Sequence, residues 1–293
     1  MTATGAADRL AERLLDEAVR AQQRAAWSLA APGWAEYRHD LAAPARRVDE
    51  RMLRLARLGP GDRVLDLACG TGGTALAAAE RVGRGGRVLG LDLAEPMVAA
   101  ARSLARERGA VQAEFRTIAA EDELGVRRGS FDAAVCRAGL PYMPDQVGAL
   151  RAVRAALRPG GRFAALLADE PGAFSPFRVR HGVVTLSGQA RTARRGAPRV
   201  IRRAWTALLE SAGFVGVHAE TGRAPVFEAE HAAAAWVLIV RTSGPLLSWY
   251  SGLDERSREA VHREAVRTLA AWFPDGPVRP SGEVVLLSGT NPG

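Results

Sequence analysis

The run Val64-Leu65-Asp66-Leu67-Ala68-Cys69-Gly70-Thr71-Gly72-Gly73, followed by Val88-Leu89-Gly90-Leu91-Asp92-Leu93, constrains this chain more than any other feature. It reads as strand, glycine turn, helix, strand and acidic strand end, the order of a nucleoside-holding βαβ unit. Glycines turn the backbone tightly and let it approach a ligand with no Cβ in between. Asp92, 20 residues past Gly72, can accept hydrogen bonds from both hydroxyls of a ribose.

Charge decides which nucleoside fits. As Gly70-x-Gly72-x-x-Ala75 the turn also matches a dinucleotide fingerprint, so NAD, FAD and S-adenosylmethionine are all open on glycine spacing alone. Asp66 stands on the last turns of the strand, four residues before Gly70, where it points a carboxylate toward the ligand crevice. Two like unit charges about 4 Å apart cost on the order of 4 kcal/mol at an effective dielectric near 20, so a pyrophosphate is repelled there. The ammonium and sulfonium of S-adenosylmethionine gain a similar amount, and Asp66 favours the methyl donor.

Leu65 to Gly72 resembles the first motif of class I S-adenosylmethionine-dependent methyltransferases, and three further segments fall in that family's order. Asp92-Leu93-Ala94-Glu95-Pro96-Met97 resembles the second-strand end and following helix, Ser130 to Arg137 the fourth strand, and Leu157 to Phe163 the turn into the fifth. The likeness is to the ubiquinone/menaquinone-biosynthesis type and covers about residues 27 to 168. It implies a Rossmann-like, seven-stranded, mostly parallel sheet with helices on both faces. An N-terminal helical segment precedes that sheet, and a helical lid is inserted before the last strand.

Ligands of open α/β sheets bind at the carboxyl ends of the strands. Asp66, Ala68, Gly70 and Gly72 are therefore expected to hold the methionine part, Asp92 the ribose, and Leu93 and Met97 the adenine face. Ala120 and Glu121 would meet the adenine edge; relatives commonly carry Asp where this chain has Ala119, and Glu121 or Asp122 would replace it. Cys136, Arg137, Ala138, Leu140 and Tyr142 are expected to line the zone where donor and acceptor meet, with Arg137 either a ligand contact or a salt-bridged structural residue. Trp34 and Tyr37 join Leu140 and Tyr142 as expected substrate contacts, and His39, Tyr142 and His181 are the candidate bases. Cys136 to Tyr142 departs from the Asp/Asn-Pro-Pro-aromatic run of nucleobase-methylating relatives, which counts against DNA or RNA bases as acceptors.

Periodicity organises the rest. Leu10, Leu14, Leu15, Ala18 and Val19 form one apolar helix face and Val48, Met52 and Leu55 another, with Trp27, Trp34, Tyr37 and His39 in a segment that Pro32-Gly33 interrupts. Residues 1 to 60 are read as a helical cap and 61 to 168 as the cofactor-binding core; 169 to 293 hold a basic loop, edge strands and the lid, within the same domain. Strands are expected at 63 to 68, 87 to 92, 112 to 117, 131 to 137, 162 to 168, 214 to 220 and 284 to 287. Helices are expected at 72 to 82, 95 to 108, 144 to 157 and 199 to 212, and in the lid around Trp236 to Val240 and Val261 to Trp272.

The net charge of +8 invites a nucleic-acid reading, but all 40 basic residues are Arg, which points to coding bias. Eight of them (178, 180, 191, 194, 195, 199, 202 and 203) fall in residues 171 to 203, which hold no acid and account for the whole excess. That stretch is either a loop attracting an acidic or phosphorylated substrate or simply a solvated basic loop. Cys69 and Cys136 are read as small buried residues; with no CxxC or HxxxH spacing a metal site has no ligand set. No apolar run reaches the ~20 residues of a membrane helix, and no signal pattern opens the chain, so a cytoplasmic enzyme with no membrane or nucleic-acid partner is expected.

The reading is a methyltransferase acting at O, N or C of a small molecule. Two alternatives stand beside it: a cofactor-retaining enzyme doing non-methylating chemistry such as cyclisation, and an RNA- or partner-binding module. Binding of S-adenosylmethionine separates the last from the first two, and product mass separates those.

Overall fold

The computed structural model describes residues 3 to 168, 177 to 180, 183 to 186 and 197 to 293. Two helices, α1 (Ala3–Glu36) and α2 (Arg38–Leu55), precede the first strand. The expected interruption at Pro32-Gly33 is absent: α1 runs through Pro32 and the chain breaks at Tyr37. A proline removes one amide donor and crowds the preceding turn. Tertiary contacts hold this turn regardless, because the Trp34 indole Nε1 donates to the Thr242 carbonyl at 2.8 Å.

Alternating strands and helices follow: β1 (Arg63–Leu67), α3 (Gly73–Val82), β2 (Arg87–Asp92), α4 (Glu95–Glu107), β3 (Ala113–Thr117), β4 (Phe131–Arg137), α5 (Gln146–Ala156) and β5 (Leu157–Ala168). A two-stranded ribbon, β6 (Phe177–Arg180) with β7 (Val183–Leu186), then leads to α6 (Ala197–Ser211) and β8 (Val215–Pro225). Three helices, α7 (Ala232–Thr242), α8 (Gly244–Ser251) and α9 (Glu255–Trp272), come before β9 (Ser281–Thr290).

The main sheet has seven strands in the order β3-β2-β1-β4-β5-β9-β8. The first five are parallel, and β9 runs antiparallel to both β5 and β8. This is the expected Rossmann-like sheet, with both late strands on the expected edge. Its two faces are packed separately. Val64, Val88 and Val135 meet Met52 of α2 and Leu76 of α3 on one face, while Leu65, Leu91 and Phe163 meet Leu150 of α5 and Leu209 of α6 on the other.

Several boundaries differ from expectation, two of them for a clear reason. The αβ turn at Pro159-Gly160-Gly161 is already strand, because Leu157 pairs with Phe131 and Asn291 stitches the turn to the end of β9. The Asn291 Nδ2 donates to the Leu157 carbonyl at 2.8 Å, and the Gly160 amide donates to the Asn291 carbonyl at 2.8 Å. In the lid, α8 starts at Ser243-Gly244-Pro245, where proline suits a first helical turn, and periodicity did not separate it from α7.

The lid helices form their own small core around Trp236, Ile239, Leu246 and Leu269, onto which Trp34 and Tyr37 pack. There α1 passes at very close range. A Cβ on Gly33 would lie 2.1 Å from the Arg241 carbonyl oxygen, and one on Gly244 would lie 2.1 Å from that of Ala26. Glycine at both crossings is what lets the backbones touch. Among the described residues no helix is long and apolar enough to cross a membrane.

Candidate active site

The carboxyl ends of β1 and β4 meet at the middle of the sheet, where the strand order reverses, and the chain turns sharply at both. Ala68 and Ala138, each one residue past its strand, sit at φ 58° and 59°, a region non-glycine residues seldom adopt. Such conformations cost of order 1–3 kcal/mol each and persist where surrounding structure imposes them. Here the two ends press together: a Cβ on Gly139 would stand 2.4 Å from the Ala68 Cβ.

In the glycine turn Gly70 has φ 53° and nothing within 4 Å of where a Cβ would be, so its face is open to a ligand. Gly72, at φ 88°, is different: a Cβ there would meet Ala101 at 2.9 Å and the Phe115 ring at 3.1 Å. Glycine at this position also serves helix–strand packing. The Gly70 amide donates to Asp92 Oδ2 at 2.8 Å and the Ala94 amide to Asp92 Oδ1 at 3.0 Å. Burial holds the Asp92 carboxyl above its ordinary range, and those amides pull it back. Each oxygen keeps a further lone pair for a hydroxyl donor.

Asp66 lies deeper. Register places it between Gly90 of β2 and Val135 of β4; it is 0 % exposed, and among the described residues neither carboxylate oxygen has a well-formed hydrogen bond. Burial, then the nearby Asp92 charge, pushes its pKa well up, while the Ala75 amide and the Arg137 guanidinium pull the other way. A fully buried carboxyl without a well-formed hydrogen bond marks a place prepared for a cation or a donor from outside the chain.

Arg137, the last residue of β4, donates through Nε to Asp49 Oδ1 of α2 at 2.6 Å, so the salt-bridged alternative for it is observed. Cys136 and Leu140 are both 0 % exposed and belong to the core around Leu150 and Phe163, so only their backbone is available to a ligand. Burial, with Asp66 nearby, pushes the Cys136 thiol up to about 12, so it stays neutral. Cys69 is buried too and likewise raised well above its usual value.

A second rim comes from α1. Arg20 grips Glu121 through Nε at 2.7 Å and Nη2 at 3.0 Å, the Asp145 amide donates to Glu121 at 3.2 Å, and Arg24 donates to the Ala119 carbonyl at 2.9 Å. Glu121 thus ties α1 to the loop after β3 instead of offering a free acceptor to an adenine edge. Ala120 beside it is half-buried, as is Leu93. Met97 is likewise covered: it packs under Ala30 and Ala31 of α1, beside Trp27 and Trp34. Trp27 stands edge-on to Tyr142, centroids 5.1 Å apart, and edge-on to Trp34 at 6.2 Å. Trp27 thus links Trp34 and Tyr142, two of the expected substrate contacts, in one aromatic row.

Tyr37 faces the lid core rather than this roof. His39 is exposed on the first turn of α2. His181 and the arginines 191, 194 and 195 lie outside the described residues. Asp49, Arg20 and Arg24 were missed in the sequence because a charged residue on a helix reads as a solvated face. Among the described residues no group of His, Cys, Asp or Glu could hold a metal ion.

A family model described as a methyltransferase domain matches residues 64–161. Nocamycin O-methyltransferase of Saccharothrix syringae is 32% identical over 265 residues, spanning 83% of this chain and 90% of that protein. Ubiquinone biosynthesis O-methyltransferase of Xanthomonas axonopodis pv. citri is 39% identical over 122 residues, which are 41% of this chain and about half (49%) of that protein. Among solved structures, the YcgJ protein of Bacillus subtilis aligns with a TM-score of 0.52 at 19% identity, covering 84% of this chain and 98% of that one, a likeness of fold.

Proposed function

The chain belongs to the class I S-adenosylmethionine-dependent methyltransferases, and from that premise we propose that it transfers the methyl group to an oxygen of a small specialised metabolite. The reading of where the cofactor sits is supported by Asp66, a buried carboxyl at the end of the first strand whose oxygens lack a well-formed hydrogen bond among the described residues. S-adenosylmethionine supplies an electrophilic methyl on a positively charged sulfur. What the chain contributes is position and dryness, because in-line displacement at carbon is accelerated mainly by holding the nucleophile about 3–3.5 Å from it and excluding water.

Asp66 supplies negative charge for the cationic end of the donor, and Asp92 offers its remaining lone pairs to the ribose hydroxyls. Gly70 leaves the backbone bare for close approach. Trp27 and Tyr142 roof the zone past β4 where the acceptor enters, and the Tyr142 hydroxyl is a candidate for moving a proton from the acceptor oxygen. Oxygen as the nucleophile is supported by the relative matched over 90% of its length, an O-methyltransferase of a microbial metabolite. The arginine-rich stretch from 171 to 203 supports an acidic acceptor.

The test is calorimetric titration with S-adenosylmethionine and with NAD, followed by mass spectrometry of products from a panel of phenolic and enolic metabolites. Binding of S-adenosylmethionine and a product heavier by one CH₂ on oxygen are expected. Preference for NAD overturns the cofactor, and a product of unchanged mass overturns methyl transfer.

A further inference from the structure

Asp66 and Arg137 stand on adjacent strands. Asp66 pairs with Val135, and Arg137 lies two residues further along β4, so both side chains leave the same face of the sheet as diagonal neighbours within reach of a long side chain. Opposite charges so placed, one of them buried, would be expected to join. They do not: both Asp66 oxygens are without a well-formed hydrogen bond among the described residues, while Arg137 turns its Nε to Asp49, which α2 lays over that face beside Met52. Among the described residues Arg137 donates a hydrogen bond through Nε alone. The electrostatics agree with this spacing, since Arg137 is near enough to favour ionised Asp66 and Asp49 near enough to oppose it.

We propose that Asp49 is a positioning residue that holds Arg137 apart from Asp66, leaving a separated negative and positive group that together read the zwitterionic amino-acid end of the cofactor. The inference rests on the methyltransferase reading and assigns it a pair of recognition charges and the strut that keeps them from neutralising each other. The α-ammonium meets Asp66, and the α-carboxylate meets the Nη fork of Arg137, whose planar donors suit a carboxylate. Without Asp49 the guanidinium swings to the buried acid, because an unpaired charge there is costly and a cation is at hand.

The test measures binding of S-adenosylmethionine and of decarboxylated S-adenosylmethionine, which keeps the ammonium and sulfonium and lacks the carboxylate, to the full chain by calorimetry. Arg137→Gln is expected to weaken S-adenosylmethionine on the order of tenfold to a hundredfold, the range for a hydrogen bond to a charged group, and to leave the decarboxylated compound bound as before. Asp49→Asn is expected to weaken both, since the freed guanidinium then occupies Asp66. Combining the two substitutions returns the decarboxylated compound to wild-type affinity. That rescue is unavailable to a strut that merely supports the fold, and thermal melting confirms that each variant is folded. Equal weakening of both compounds by Arg137→Gln, an Asp49→Asn protein with unchanged affinity, or a double variant without rescue each overturns the inference. Failure of the wild-type protein to bind S-adenosylmethionine would instead overturn the family-based reading beneath it.

Discussion

At the scale of single residues, a binding site and a stable fold want different things from Asp66. Its carboxyl is buried with no well-formed hydrogen bond among the described residues, and both that burial and the Asp92 charge hold its pKa well above the ordinary carboxylate range. The consequence for stability has a definite sign. An unfolded chain ionises this residue near pH 3.9, while the folded protein without ligand holds the proton to higher pH, so stability falls as pH rises from about 4 through the folded value and levels off beyond it. Asp66→Asn removes that slope. The variant should gain on the wild type as pH climbs through this window, while losing affinity for S-adenosylmethionine. Urea midpoints of both proteins at a series of pH values, with no ligand, check the first part; parallel pH profiles would rule it out. Such an opposition between stability and function is what a prepared cation site predicts.

At the scale of elements, α1 is the member that connects everything the core does not. Its Arg20 and Arg24 grip the loop after β3, Trp27 roofs the end of β4, and Gly33 and Trp34 abut the α7–α8 corner of the lid. Gly33 separates local from tertiary preference. Helix propensity alone says that Gly33→Ala stabilises by about 1 kcal/mol. The Cβ would meet the Arg241 carbonyl oxygen at 2.1 Å, and forcing backbones apart in a packed interface costs about 1–3 kcal/mol. The expected result is a net loss, read as a lower melting temperature with faster proteolysis in α7–α9. A more stable protein would mean that α1 and the lid are not in firm contact. The same element shows the limit of reading a helix by its sequence: Pro32 looks like an interruption, and only the lid's hold on Trp34 and Gly33 keeps the helix running.

At the scale of the whole molecule, the sheet is closed by a residue near the chain's end. Asn291, 5% exposed, joins the start of β5 to the end of β9, more than 120 residues apart, through its side-chain amide and both its backbone groups. Asn291→Ala strands the Leu157 carbonyl, and a loss of about 1–3 kcal/mol in unfolding free energy is expected, measurable as a shifted denaturant midpoint with unchanged slope. A neutral substitution would show that the antiparallel edge does not depend on this stitch.

Much of this architecture was readable from the residues because it is written in short-range patterns. Alternating apolar strands, amphipathic helices and glycine turns repeat every few residues, so the order of elements, the parallel sheet and the glycine turn facing a nucleoside are legible without coordinates. The charges that organise the site are not. Arg20 reaches Glu121 across 101 positions and Arg137 reaches Asp49 across 88, and nothing local distinguishes such residues from solvated ones. Nor does any local pattern show that Cys136 and Leu140 turn their side chains into the core or that Gly72 lies against Ala101 and Phe115.

The chain's own order of residues thus determined that a sheet would form and that a cationic nucleoside would suit its first turn, because hydrogen-bonding geometry and charge act over a few residues at a time. Which acid stays unpaired, which arginine is held back and which glycines let two helices touch were decided only when distant segments came together, since burial and Coulomb forces depend on distance in space and not along the chain.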